Sequence, residues 1–341
     1  MKSLLLLITL LSHHCLAAMV TVDGVDFTSL SAARTAIKDG SRIYLQKGVY
    51  AVGAYIKASD IELIGEEGVV FDNAIADEKA ALVFTGNNIT VESIECRNIA
   101  VKDKNGACIR FEGQHLTVRN LYAHDSQVGI LTSRNAGKVN IEYSKFERLG
   151  GKGKGMGYSH AVYAFADELR IYRSEILSMQ GEGSGIKSRS KKTVILESRL
   201  ATINGDDSRL IDTANFGELI VQKSILQQGD NSTNRQLIAY GLEKKVERLF
   251  DVNSIEIKNN IFILDRAKSS VIVSYRLADK IEITDNVYIG DFLYTADFLP
   301  NNTWYSSRNK AFIAELPYIP KLEDFDDIIF RATTYGTAEQ P

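Results

Sequence analysis

A short phrase with apolar first and third residues returns along the chain at intervals of mostly 20-odd residues. It reads Ile89-Thr-Val91, Leu116-Thr-Val118, Val139-Asn-Ile141, Leu169-Arg-Ile171, Val194-Ile-Leu196, Leu219-Ile-Val221, Ile255-Glu-Ile257 and Ile281-Glu-Ile283. Two or three residues past each phrase stands a small polar residue: Ser93, Asn120, Ser144, Ser174, Ser198, Ser224, Asn260 and Asn286. Period-two alternation rich in Val, Ile and Leu specifies strands, and no long stretch carries a helical period. A unit of this length repeated this often predicts a solenoid, one coil per unit, with the small polar residues hydrogen-bonding along the stack. Gly, Asn and Asp mark the turns, as at Gly86-Asn87-Asn88, Gly181-Glu182-Gly183 and Gly229-Asp230-Asn231. A leucine-rich repeat would need a Leu-rich consensus and a helical segment per unit, and neither is present.

The two ends break the pattern. Between Phe27 and Lys38, Thr28 or Ser29 offers an N-cap, Leu30, Ala33 and Ile37 share one helical face, and Gly40 closes the segment. A short amphipathic helix is expected there, capping the open end of the stack. After Gly290 the phrase fades into an aromatic tail with Trp304, Pro317 and Pro320. The expected organisation is a leader over 1–17, a β-helix with its cap over 18–290, and an extension packed on it over 291–341.

Composition changes this picture little. The 341 residues are 45% hydrophobic and 24% charged, as in ordinary soluble proteins. Because stacked coils extend their core in one dimension, a single elongated domain is expected. A formal net charge of −3 offers no electrostatic case for nucleic acid. Lys2, the apolar run Leu4–Leu11 and Cys15-Leu16-Ala17 read as a secretory leader, too short to span a bilayer. A lipid anchor at Cys15 is the lesser alternative, since His13-His14 is a poor context for it. The expected location is therefore extracellular or periplasmic. Cys96 and Cys108 survive cleavage, and an exported pair can form a disulfide. The repeat register places them on different faces of adjacent coils, so two separate packing residues are expected. Haem and zinc spacings are absent.

The segments Gly40-Ser-Arg-Ile43-Tyr-Leu45-Gln-Lys-Gly48-Val-Tyr50 and Ile61-Glu-Leu63-Ile-Gly65 resemble the entry to right-handed parallel β-helices of the pectate-lyase-like superfamily. The resemblance runs over roughly residues 26–290. His160-Ala-Val-Tyr163, Gly185-Ile-Lys-Ser-Arg189, Leu210-Ile-Asp212, Gln227-Gln-Gly229 and Leu237-Ile-Ala-Tyr240-Gly241 resemble a secreted bacterial subgroup of it. What the resemblance implies is an all-β, single-stranded right-handed β-helix acting on acidic polysaccharides by lyase, hydrolase or epimerase chemistry. One fold hosts several chemistries, so activity has to be argued from the site.

Aligning the strand before each phrase puts Ile109, Ile130, Val162, Ile186, Ile211 and Ile238 in one inward column. The next residue of each strand then points outward: Arg110, Leu131, Tyr163, Lys187, Asp212 and Ala239. Two residues further come Glu112, Ser133, Phe165, Arg189, Ala214 and Gly241. Coils stack about 4.8 Å apart, so Tyr163, Lys187, Arg189 and Asp212 are expected to share one patch. The turns leading in add His124, Tyr158, His160 and Asn231, and the Gly-rich insertion Gly150–Gly157 is expected to overhang as a lip.

Eliminating a uronate requires neutralising its carboxylate, removing the C5 proton and protonating the departing O4. Arg189 suits the first task because a guanidinium matches a carboxylate bidentately and keeps its charge. Lys187, or else His160, is the candidate base, and Tyr163 the candidate acid. Arg110, His124, Asp212 and Asn231 are the candidate substrate-binding residues, with Asp212 orienting Lys187 or Arg189. No cofactor is required by this chemistry; the alternative is Ca²⁺ held by Glu182, Asp206 and Asp207 through oxygen ligands. The expected partner is the acidic polysaccharide alone, met by a monomer.

Three plainer or rival readings stand beside this one. Lys187 and Arg189 on a solvated face would be surface charges balanced by Asp212 and Glu112. Two of the acidic residues at a suitable separation would instead make a glycoside hydrolase. The polygalacturonase branch of the superfamily carries an Asp pair, a His between glycines and an Arg-Ile-Lys in that order. Here His160, Ile186-Lys187 and Asp206-Asp207 run differently, and His160 lacks flanking glycines. A non-catalytic adhesive β-helix would present an evenly aromatic or charged face, whereas the outward column has only Tyr163 and Phe165 as aromatics.

Overall fold

The computed structural model describes residues 20–151, 159–243, 250–293, 301–335 and 338. The leader, most of the Gly-rich insertion and Tyr158 lie outside the described residues. The chain winds into a parallel β-solenoid of about nine turns. Three ladders run its length. The first carries the sequence phrase and extends from Arg42–Leu45 to Lys280–Thr284. The second runs from Gly48–Tyr50 to Thr303–Tyr305. The third runs from Ala54–Ile56 to the far end of Ile261–Val273.

Alternation builds the core. The inward column of the third ladder, Ile109, Ile130, Val162, Ile186, Ile211 and Ile238, is wholly buried and in register from rung to rung. Each such side chain contributes roughly 1.5–3 kcal/mol by leaving water. In the first ladder one unit sits a residue away from its expected register. Leu169 pairs with Thr193 and Ile171 with Ile195, so the inward pair is Thr193 and Ile195 rather than Val194 and Leu196. A one-residue slip exchanges the faces of a strand, and Thr193 is accommodated inside because its hydroxyl donates to Ser188 Oγ at 2.7 Å.

The polar stack forms between the first and second ladders, but it begins later than expected. The backbone N–H of Ser144 donates to Ser174 Oγ, that of Ser174 to Ser198 Oγ, and that of Ser198 to Ser224 Oγ. The series continues from Ser224 to Asn260 Oδ1, from Asn260 to Asn286 Oδ1 and from Asn286 to Asn302 Oδ1. Ser93 and Asn120 stand outside it. Both have left-handed φ, 58° and 51°, and occupy the bend that later coils give to Tyr143, Arg173, Glu197 and Lys223.

The helix expected at the N-terminal end is a single turn, α1 (Leu30–Ala33), capped by Ser29 Oγ accepting from Ala32 N. Leu30 and Ala33 join the core while Ile37 packs beside it. Ahead of α1, Val20–Val22 pairs antiparallel with both Val25–Phe27 and Arg42–Leu45, closing the first coil. At the other end α2 (Phe325–Tyr335) lays Ile328 and Ala332 on the outside of the second ladder, against Ile225, Ile263 and Ile289. Arg308 fastens this tail by a two-pronged bond to Asp265, 2.7 Å on each side. Among the described residues no helix is long and apolar enough to cross a membrane.

The cysteines are a correction. Cys96 and Cys108 form a disulfide, with Cα atoms 5.6 Å apart. They belong to one coil, not to adjacent ones, and both are fully buried. Strict alternation misleads at the corner Ala107–Ile109: Ala107 joins the outer apolar cluster, whereas Cys108 and Ile109 both turn into the core.

Candidate functional site

The outer face of the third ladder carries the expected column. Arg110 pairs with Leu131, Leu131 with Tyr163, Tyr163 with Lys187, Lys187 with Asp212, and Asp212 with Ala239. Arg189, one residue past Ile186–Ser188, reaches along the wall to its neighbours. Its Nε–H donates to Tyr163 Oη at 3.0 Å, its Nη1 to Asn215 Oδ1 at 2.7 Å, and its Nη2 to Glu243. The guanidinium also lies 5.6 Å from the Phe165 ring centre. Lys187 Nζ donates to the other oxygen of Glu243 and stands 3.7 Å from Asp212 Oδ2. Lys187 and Asp212 are buried at the base of the cluster.

Two carboxylates thus flank Lys187 in unlike environments. Burial raises the Asp212 carboxyl, whose Oδ1 finds no hydrogen-bond partner among the described residues. Glu243 is half-exposed; burial alone would raise it, but its bonds to Lys187 and Arg189 prevail and hold it below the ordinary range. Glu243 and Asn215 were not among the candidates. Both lie on turns that follow rungs, where alternation says nothing about direction; an acidic residue two positions past Gly241 was the only signal available.

His160 enters the same neighbourhood from the turn before Val162. It is 4% exposed, with its ring edge-on to Tyr163 at 5.3 Å. Nδ1 accepts from Ser184 N at 2.9 Å, so the neutral ring carries its proton on Nε2 and offers a donor there. Burial, with the Lys187 charge close by, pushes the imidazole down to about 3. A histidine whose accepting nitrogen is already engaged is a poor base. Gly183 makes this contact feasible: a Cβ there would meet Ser159 O at 1.8 Å, so a larger residue could not let the turns approach as closely.

The groove beside these residues is lined by Arg134, Tyr163, Phe165, Arg189, Lys191 and Glu243 among others, with a volume of about 700 Å³. Cations and aromatic faces together suit an anionic sugar chain.

Other candidates sit elsewhere. His124 belongs to the second ladder, where it bonds Asp125 at 2.6 Å and Glu95 at 3.2 Å and stacks on Tyr122; it is not a groove residue. Its position at the end of a long strand spanning two walls, Leu116–His124, carried it round the corner. Arg110 keeps its place in the column but is engaged by Glu112 at 3.0 Å. Asn231 is exposed on the Gly229–Asn234 turn. Glu182, Asp206 and Asp207 do not converge. Asp206 accepts from Gly181 N at 2.7 Å, and Asp207 is buried under Ser232, whose hydroxyl donates to it at 2.6 Å. Burial pushes Asp207 up to about 6. Among the described residues no three acidic, His or Cys side chains are grouped to hold a metal ion.

By fold, the chain is an all-β parallel solenoid of about nine turns. No protein-family model and no curated protein matches the chain. Among solved structures, the crystal structure of pectate lyase Pel9A aligns with 75% of this chain and 73% of that one, at 18% identity and a TM-score of 0.49.

Proposed function

We propose that this chain is an exported enzyme that binds an acidic polysaccharide along the outer face of its third ladder and cleaves it by β-elimination. The observation that carries the reading is the joint grip of Lys187 and Arg189 on one carboxylate, that of Glu243. A uronate carboxylate has the same charge and the same two acceptors, so the pair suits it equally. With a uronate seated there, Arg189 neutralises its charge and makes the C5 proton acidic. When Lys187 Nζ gives its own proton to solvent the carboxylate stays with Arg189 alone, and the neutral amine takes the C5 proton. The electron pair forms the C4=C5 double bond, the C4–O4 bond breaks, and Tyr163 gives its hydroxyl proton to O4. The Arg189–Tyr163 bond supports that last step, because the phenol oxygen accepts from Arg189 and its own proton stays free to be given. Asp212 steadies Lys187 from the core side. The buried disulfide supports export to an oxidising compartment.

A second reading rests on the two unlike carboxylates. Asp212, raised by burial, and Glu243, held low by its cations, would be acid and base in a hydrolase. One experiment tests both: incubation with a panel of uronate polymers while following absorbance near ~235 nm, where the conjugated product of an elimination absorbs, together with reducing ends. Absorbance rising with reducing ends is expected. Reducing ends alone would favour hydrolysis, and binding without either signal would leave a glycan-binding β-helix.

A further inference from the structure

The cluster contains a carboxylate that the elimination does not use. Tyr163, Lys187 and Asp212 stand on rungs and Arg189 at the end of one, whereas Glu243 stands on the turn after Gln236–Tyr240 and reaches back to the coil of Lys187. Each of its oxygens serves one cation, so it fills the seat completely. Exposure differs in the same sense: the side chain of Glu243 is 43% exposed, against 11% for Lys187 and 16% for Arg189. The cations therefore form the floor, and a ligand arriving from solvent meets Glu243 first.

We infer that Glu243 is a built-in competitor in this groove, holding the seat between Lys187 and Arg189 until a ligand carboxylate replaces it. The inference rests on the proposed binding of an acidic glycan at this site. A neutral sugar that displaced Glu243 would leave two largely buried cations with hydroxyls in place of a charge, an exchange that loses energy. A uronate replaces the carboxylate one for one. Asp212 cannot act in this way, because it is buried beneath Lys187 and, among the described residues, pairs with that cation alone.

The test is calorimetric binding of a galacturonate trimer and of its neutral methyl ester to the wild-type protein, Glu243→Gln and Glu243→Ala. Removing the competing charge should tighten binding of the acid trimer about tenfold or more in both variants. The ester should bind weakly to all three proteins. Both substitutions fall on a half-exposed turn, and circular dichroism checks that the coils are intact. Acid binding that is unchanged or weaker in both variants would overturn the inference. So would a Glu243→Gln protein that binds as the wild type does but has lost turnover, since Glu243 would then take part in the chemistry. Tighter acid binding in the variants with no cleavage by any of the three would sustain the competitor role while removing the elimination reading. Turnover in the wild type with unaltered affinities would remove the competitor role alone.

Discussion

Arg189 donates to the Tyr163 hydroxyl at 3.0 Å across neighbouring rungs, and in doing so aligns the phenol without consuming its proton. If Tyr163 is the proton donor, Tyr163→Phe should lower kcat by about 10²–10⁴-fold with little change in KM. Arg189→Lys keeps the charge but loses the fork that bonds Tyr163, Asn215 and Glu243 together, so it should raise KM as well. Steady-state kinetics on a uronate polymer separates the two effects.

Lys187→Ala should abolish turnover while the solenoid persists. The substitution strands Asp212, but its carboxyl is already raised by burial and can become neutral instead of standing as an unpaired charge. Unchanged far-ultraviolet circular dichroism with no product is the expected result, and turnover at the wild-type rate would remove Lys187 from the mechanism.

Acid should act on stability through two opposed groups. The imidazole of His160 is depressed to about 3 from an ordinary 6.5, so the unfolded chain binds the proton first and this contribution is lost as pH falls below 6.5. The slope is at most about 1.4 kcal/mol per pH unit. Asp207 is raised to about 6 from 3.8, so its contribution runs the other way: present below 3.8 and lost as pH rises through 6. Between pH 6 and 4 these two contributions should largely cancel. His160→Gln should gain stability on acidification there, and Asp207→Asn should lose it more steeply than the wild type, as read by urea unfolding at each pH.

Asn260→Ala should cost about 1–3 kcal/mol, because it leaves the buried Ser224 N–H without its acceptor in the middle of the stack. The urea midpoint measures this.

Reduction of Cys96–Cys108 should lower stability by about 3 kcal/mol, the chain-entropy value for a loop of this size, here a separation of 12 residues. A melting curve of a Cys96→Ser, Cys108→Ser protein checks it, and no change in Tm would show that the coil holds the corner alone.

Where a rung is straight, even over three residues, alternation reads its faces, which is why the column Arg110, Leu131, Tyr163, Lys187, Asp212 is found as expected. Corners defeat it. At Cys108 two consecutive residues turn inward, at Ser93 and Asn120 the bend takes the place of the stack, and at His124 the strand has already rounded onto another wall. Each is a place where backbone direction changes faster than a period of two can follow.

The period and polarity of the chain determined by themselves that it coils, which residues fill the interior and which wall gathers Tyr163 and Lys187. Those follow from local geometry, since burial and alternation act within a few residues. Only the tertiary structure decided that Glu243, on a turn two coils further on, closes over Lys187 and Arg189, that His160 presents a donor instead of a base, and that Cys96 and Cys108 meet. Such contacts join residues distant in sequence through turns, whose direction is set by what they pack against and not by the pattern that leads into them.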